Sequence, residues 1–273
     1  MQIPLNEDSQ LASGNSFLFT KNISIVVPAY NEESRIRPFL EDISSFIFSN
    51  DLEWEVIIVV DGNDNTDNIV NSYHNRFPFI KTIKSSNRSG MGGAIKRGIR
   101  TSKNEYIILM DADNSTRIQD IMTAIAPLDG LEKFDIINFD RYSLKENMIP
   151  LKRIYLSRGL NTLLKAIFRV GVNDTQCDYK ILKRSSVLEI VNRITITNAF
   201  FLSSIFIYAK MKNMSIIEVP ILYKHSDGSK FNVIPEIAGH GISIFAFKLR
   251  HSRFYKHVPE WARNLYFRKF KWI

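Results

Sequence analysis

Two carboxylates separated by one small residue, Asp111-Ala112-Asp113, close the apolar run Tyr106–Met110. That spacing suits a hard divalent cation. Mg2+ or Mn2+ takes oxygen ligands and needs one or two carboxylates when phosphates supply the rest. An ordinary Asp-rich turn after a strand reads the same way. Upstream, Ile25-Val-Val-Pro-Ala-Tyr-Asn-Glu-Glu33 ends another apolar run in a Pro turn. Asn31 and Glu32 there can accept from the NH edge of a base or from a ribose hydroxyl, or can serve the N-terminus of the next helix. A third run, Trp54–Val60, closes on Asp61-Gly62. Then Asn87-Arg-Ser-Gly-Met-Gly-Gly-Ala94 sets glycines before a helical segment. Glycine lets backbone approach a ligand closely, and a helix N-terminus favours anions. Gly92 therefore joins the ligand-binding candidates, with Arg88 and Lys96 as nearby cations.

Elements must bring these residues together. Ile23–Tyr30, Trp54–Asp61 and Tyr106–Met110 are apolar at nearly every position, the pattern of strands buried on both faces of a parallel sheet. Helical spacing covers Ser34–Phe48, Thr66–Tyr73, Gly90–Thr101 and Ile118–Leu128, with further strands at Ile80–Lys84 and Phe134–Phe139. The alternation predicts a doubly wound α/β layer, with ligands at the carboxyl ends of its strands. Glu32, Asp61, Asp111 and Asp113 would face one crevice from three strand ends. The second half is less regular. Leu151–Val170 reads as an amphipathic helix, Asp174–Leu182 as strand and turn, Ser185–Val191 and Asn198–Met211 as helices, Ser215–Tyr223 as a strand and Val233–Leu249 as a helix.

Composition narrows the classes. With 273 residues, 45% hydrophobic and 23% charged, the chain is neither disordered, collagen-like nor a coiled coil. The net charge is +8. From Lys248 onward eight cations face the single acid Glu260, so this segment carries seven of those charges and the body is nearly neutral. A basic end on a neutral body implies a local anionic partner rather than nucleic acid. The lone Cys177 excludes an internal disulfide and argues against a Cys-based zinc site. The longest apolar runs, Phe200–Ala209 and Gly241–Leu249, are shorter than a bilayer span, and the N-terminus lacks the pattern of a signal peptide. A soluble or peripheral protein working on the cytosolic side is expected.

As an ordered set, Val-Pro-Ala-Tyr-Asn-Glu, Val-Val-Asp-Gly, Asn-Arg-Ser-Gly-Met-Gly-Gly-Ala and Asp-Ala-Asp resembles the inverting, nucleotide-sugar-dependent glycosyltransferases of the GT-A fold. Asp174-Thr-Gln-Cys-Asp-Tyr-Lys180, Glu218-Val-Pro-Ile221 and Gly228-Ser-Lys230 resemble the branch that makes polyprenyl-phosphate sugars, the dolichyl-phosphate glucosyltransferases and mannose synthases. The resemblance spans residues 22–232. It implies that Pro28, Tyr30, Glu32 and Asp61 line the nucleoside. Asp111 and Asp113 would hold the metal and the donor diphosphate, and Arg141 would lie near the phosphates. Asp174, Gln176 and Lys180 would form the floor of the reacting centre, with Gln176 and Lys180 on the acceptor side. Ser229 and Lys230 would hold the acceptor phosphate. Five positions depart from the family pattern. Val60 replaces the first of two adjacent Asp residues, Met91 the Lys of a Gly-Lys-Gly turn, Ser115 a Gln, and Asp178-Tyr179 a Gly-Phe pair. Arg88 or Lys96 could substitute for the missing Lys.

The acceptor decides the chemistry. A hydroxyl needs a general base, for which Asp174 or Asp178 are candidates. A lipid phosphate is already anionic, so the site mainly neutralises the leaving diphosphate and aligns the attack. The tail interleaves aromatics such as Phe254, Trp261, Phe267 and Trp272 with its cations, which suits a membrane interface with anionic headgroups or a helix folded onto the body. The expected organisation is an N-terminal extension (1–21), a GT-A domain (22–247) and a basic aromatic tail (248–273). The domain divides into a donor half, 22–145, and an acceptor half, 146–247. The expected reaction moves a hexose, from a UDP-sugar by preference, to a polyprenyl phosphate with inversion at the cytoplasmic membrane face. A glycosyltransferase using a hydroxyl acceptor, and a nucleotide- or nucleic-acid-binding protein, are the alternatives.

Overall fold

In the computed structural model the described residues are 17–85, 88–128, 133–224 and 233–261. Seven strands form one sheet: β1 (Ile23–Ala29), β2 (Glu55–Val60), β3 (Ile80–Lys84), β4 (Tyr106–Leu109), β5 (Ile136–Asp140), β6 (Lys180–Lys183) and β7 (Ile216–Pro220). Their spatial order is β3-β2-β1-β4-β6-β5-β7. β1 pairs in parallel with β2 and β4, and β2 with β3. β6 runs antiparallel between β4 and β5, while β5 and β7 pair in parallel.

The helices are α1 (Ile36–Ser49), α2 (Thr66–His74), α3 (Gly90–Thr101), α4 (Ile118–Ile125), α5 (Leu151–Phe168), α6 (Arg184–Arg193), α7 (Phe200–Met211) and α8 (Val233–Arg250). They cover both faces, so the strands bury alternate residues in two cores. Val56, Ile58 and Val60 join Phe39, Leu40 and Ile43 of α1 on one face. Ile57 and Val59 join Ile95 and Ile99 of α3 and Phe201 of α7 on the other. This two-sided burial is the reason the strands lack a polar alternation. The apolar run Phe200–Ala209 is buried on every side within α7, as a helix apolar all round must be.

The antiparallel β6 positions the site. Because β4 and β5 both run opposite to β6, their carboxyl ends lie at one sheet edge, where β6 begins. Leu109 and Asn138 both pair with Lys180. The segment 174–179 thus enters the edge that also carries Asp111, Asp113 and Arg141. The tail boundary drawn at 248 falls inside α8, whose end packs on the body. Phe247 is buried against Tyr208 and Phe168, and His251 stacks on it.

Candidate active site

The first strand end turns sharply. Pro28 stops the β1–β4 ladder: Met110 N donates to Val26 O, but residue 28, whose nitrogen faces the same strand two residues on, has no N–H to continue it. Asn31 adopts φ 55°, and its Oδ1 accepts from Asn63 N at 3.0 Å. Glu32 N donates to Thr66 Oγ1 at 2.9 Å. These bonds brace the β1 loop against the β2 loop. They replace the helix-capping role that sequence allowed Asn31, since the N-cap position of α1 is Arg35. Tyr30 is exposed, with the Arg88 guanidinium 4.5 Å above its ring, an aromatic and cationic pair at the crevice mouth.

Asp61 closes the next turn. Its carboxylate accepts from Ser89 N, Ser89 Oγ and Gly90 N, each at 2.8 Å. It therefore fixes the start of α3 from a neighbouring strand end, where Gly90 has φ 72°. At Gly92 a methyl group would stand 2.3 Å from Phe201 Cβ and 2.7 Å from Asn198 O. Packing of α3 on α7 thus requires the glycine. Lys96 turns away from the crevice and donates to Asn192 O and Ile194 O at the end of α6. That corrects its expected part as a phosphate cation.

Around Asp111-Ala112-Asp113 the charge is acidic. Burial pushes the Asp111 carboxyl well above its ordinary range, and the fields of Asp178, Asp113 and Glu32 push it the same way. Arg35 offsets part of this. It pairs with Glu32 through two bonds of 2.8 and 2.7 Å and comes within 3.8 Å of Asp113. Among the described residues no group of three or more His, Cys, Asp or Glu could hold a metal by itself. Two carboxylates completed by phosphate oxygens form a different kind of site, and this one fits a hard divalent cation. Its donors are oxygens, its carboxylates repel one another, and the buried Asn114 Oδ1 and Ser115 Oγ beside them lack hydrogen-bond partners.

The opposite wall is cationic and aromatic. Arg141, 2% exposed, binds Asp174, 0% exposed, through two bonds of 2.8 and 3.0 Å. Its guanidinium lies 5.4 Å from the Tyr223 ring centroid. Nη1 lacks a hydrogen-bond partner and stands 3.9 Å from Asp178. Burial alone would lower the Arg141 pKa, but Asp174 more than compensates and holds it up. Burial raises the Asp178 carboxyl, against the pull of Arg141 and Arg153. Gln176 ties segments of the chain's second half together, donating to Ser203 of α7 and meeting His240 Nε2 of α8 at 3.1 Å.

Residues 24–191 match the family described as glycosyl transferase family 2. The chain belongs to that family. A dolichyl-phosphate beta-glucosyltransferase of Dictyostelium discoideum is 32% identical over 224 residues, covering 77% of this chain and 68% of the relative. The Saccharomyces cerevisiae protein of the same name is 28% identical, covering 76% and 68%. Among solved structures, UDP-bound glucosyl-3-phosphoglycerate synthase of Mycobacterium tuberculosis superposes with a TM-score of 0.62 at 15% identity, covering 85% of this chain and 80% of its own. A Pyrobaculum calidifontis mannosyltransferase in complex with GDP-Man and Mn2+ gives 0.56 at 16% identity, covering 85% and 65%. These likenesses show the GT-A fold, and family membership removes the non-enzyme reading.

Two expectations for this glycosyltransferase change. Lys180 is wholly buried, with Nζ donating to Asn138 Oδ1 at 3.0 Å and to Cys177 O. It braces β5 and β6 from inside and cannot touch an acceptor. Asp174 is spent on Arg141, which removes it as a general base and leaves Asp178. Ser229 and Lys230 lie outside the described residues. Sequence reasoning missed Arg35, Arg153 and the two tyrosines Tyr179 and Tyr223. Tyr179 OH accepts from Thr116 N at 3.1 Å, fixing the loop after Asp-Ala-Asp. For Arg35 a signal existed: it stands three residues after Glu32.

Proposed function

We propose that this glycosyltransferase transfers a hexose from a nucleotide sugar, UDP-linked by preference, to a polyprenyl phosphate with inversion. The observation that carries the reading is the division of the crevice. Carboxylates line the β1 and β4 side, while the β5 side presents the Arg141–Asp174 pair, with Arg141 Nη1 still without a hydrogen-bond partner and Arg153 close by against Tyr223. An acceptor that arrives ionised needs cations and no base, which is what the second wall offers. The names of the sequence relatives support a lipid-phosphate acceptor, and structural neighbours that bind UDP and Mn2+ support the donor and the metal.

Asp111 and Asp113 would hold Mg2+ or Mn2+, which supplies charge neutralisation for the departing diphosphate. Tyr30 and Arg88, with Pro28 and Glu32, would flank the nucleoside. Asp61 and Gly92 shape the turn beside it through the α3 contacts described above. Arg141, held by Asp174, orients the acceptor phosphate. A phosphate oxygen attacks C1 as the C1–O bond to the diphosphate breaks on the opposite face, so one displacement inverts the centre and no proton moves. Ser229 and Lys230 keep their acceptor role on resemblance alone, and the basic aromatic tail is proposed to hold the enzyme at the cytoplasmic membrane face. A hydroxyl acceptor with Asp178 as base is the second reading, favoured by the upward shift that burial gives that carboxyl.

Incubating the protein with polyprenyl phosphate and a panel of radiolabelled UDP- and GDP-sugars tests this. Mild-acid-labile label in the organic phase is expected with a UDP-hexose. Label confined to water-soluble glycan would move the assignment to the hydroxyl acceptor.

A further inference from the structure

Helix α5 faces outward with an unusual surface. Of its 18 residues it buries Asn161 and Leu164. Asn161 anchors it to the active-site turn, donating to Asn173 O at 2.6 Å and accepting from Thr175 Oγ1 at 2.6 Å. Apolar side chains stand in solvent: Met148 just before the helix is 88% exposed, Leu151 70% and Tyr155 71%. Leu151, Tyr155, Gly159, Thr162 and Ala166 recur at spacings of three and four and are exposed throughout, so they form one stripe. At about 100° per residue, Arg158 and Lys165 flank this stripe on one side and Lys152 on the other. Between Glu146 and Asp174 the sequence holds five cations and no acid.

We infer that this face of α5 docks in the plane of an anionic lipid surface, a contact separate from the tail. A stripe led by Leu151 and Tyr155, continued by small residues and edged by cations, has the pattern of an interfacial helix, and among the described residues no helix is long and apolar enough to cross a membrane. Charge selects the occupant. A second copy of α5 would bring like charge, as would the segment after Trp261, which holds Arg263, Arg268, Lys269 and Lys271 and no acid. An anionic headgroup layer is complementary to both the cations and the stripe. The first turn of the helix then joins membrane to site. Leu151 and Tyr155 face the lipid, while Arg153 Nη1 lies 3.5 Å from Tyr223 Oη, beside Arg141. The crevice opens at headgroup level. The value of this for turnover rests on the proposed lipid-phosphate acceptor, whereas docking itself does not.

Sedimentation of the full chain with phosphatidylcholine vesicles, with and without phosphatidylserine, tests the docking. Met148→Ser, Leu151→Ser and Tyr155→Ser together should weaken binding about tenfold or more at every salt concentration. Lys152→Gln, Arg158→Gln and Lys165→Gln together should weaken it roughly a hundredfold at low salt and little at high salt. All six residues are solvent-facing, so thermal unfolding should match the unsubstituted protein. Sedimentation of both variants like the unsubstituted protein, no binding of the unsubstituted protein to anionic vesicles, or self-association lost in the variants would each overturn the inference. Transfer to a short, water-soluble isoprenyl phosphate reads the acceptor separately. If it persists in variants that no longer sediment, the docking surface stands apart from the chemistry. If it is absent while vesicles still bind in an α5-dependent way, the acceptor proposal fails and the surface remains.

Discussion

Replacing Asp174 with alanine would leave the Arg141 guanidinium buried and without its two carboxylate bonds. The pair lies 2.8 Å apart, and its side chains are 2% and 0% exposed. Removing one member of such a pair costs about 3–5 kcal/mol, a large part of the 5–15 kcal/mol that holds a typical domain together. In a chain of this size each kcal/mol moves the melting temperature by about 2–4 °C, so Asp174→Ala should melt roughly 6–20 °C lower. Removing both charges separates folding from function. Arg141→Met with Asp174→Leu fills the same space without a stranded charge and should recover most of the loss, yet transfer should stay abolished. Differential scanning calorimetry and the lipid-phase transfer assay together decide the point. A single variant melting within about 2 °C of the unsubstituted protein would refute the energetic reasoning. A double variant that still transfers would refute the role given to Arg141.

Asp111→Asn should lower transfer by about 100- to 1000-fold. Mn2+ with UDP should raise the melting temperature of the unsubstituted protein; Asp111→Asn should lose that rise, and an intact Mn2+-dependent rise in the variant would remove Asp111 from the metal site. Gly92→Ala should destabilise the fold by about 1–3 kcal/mol, because its methyl would force Phe201 and Asn198 away from α3; urea titration measures this. Glu55 is held below the ordinary carboxylate range: burial works against this, but bonds from Lys81, Lys103 N and Ser24 more than compensate. Its contribution is present above the unfolded-state pKa of about 4 and is lost as pH falls through the lower folded value. Glu55→Gln should therefore melt lower at neutral pH, with the gap closing in acid, and a constant gap across that range would count against the pairing.

The first half of the chain was largely legible, because strands buried on both faces and helices of regular spacing announce their own limits. Glu32, Asp61, Asp111 and Asp113 could be assigned to one crevice on the rule for strand ends; Arg35 lies between Glu32 and Asp113, while Asp61 is taken up by Ser89 and Gly90 at the start of α3. The second half was less legible for a physical reason. β6 has four residues, too few for a period to show, and its antiparallel direction depends on pairing with β4 and β5. Lys180, given an acceptor role by resemblance, points into the core instead. The pairing of Asp174 with Arg141 joins residues 33 apart on separate segments, which no local pattern encodes. Gly92 shows the converse: a Gly-rich turn looks alike whether its glycine admits a ligand or a neighbouring helix.

The proposed reaction brings two anions together, a diphosphate leaving and a phosphate arriving, and in an unstructured pocket they would repel. The antiparallel insertion of β6 addresses that problem. It sets the end of β5, with Arg141, beside the end of β4, with Asp111 and Asp113, so that the sign of the wall changes across the crevice. Asp178 stands at the change. Its carboxyl is raised by burial, lowered by Arg141 and Arg153 and raised again by Asp113. A metal-bound diphosphate is suited to the acidic wall and a bare phosphate to the cationic one, and each would be misplaced on the other. On this proposal the order of charges alone orients donor and acceptor for in-line attack, before any contact with the sugar. What discriminates among hexoses must then be sought in neutral groups around the crevice, such as Asn114 and Ser115, whose side-chain oxygens are buried and still without a hydrogen-bond partner.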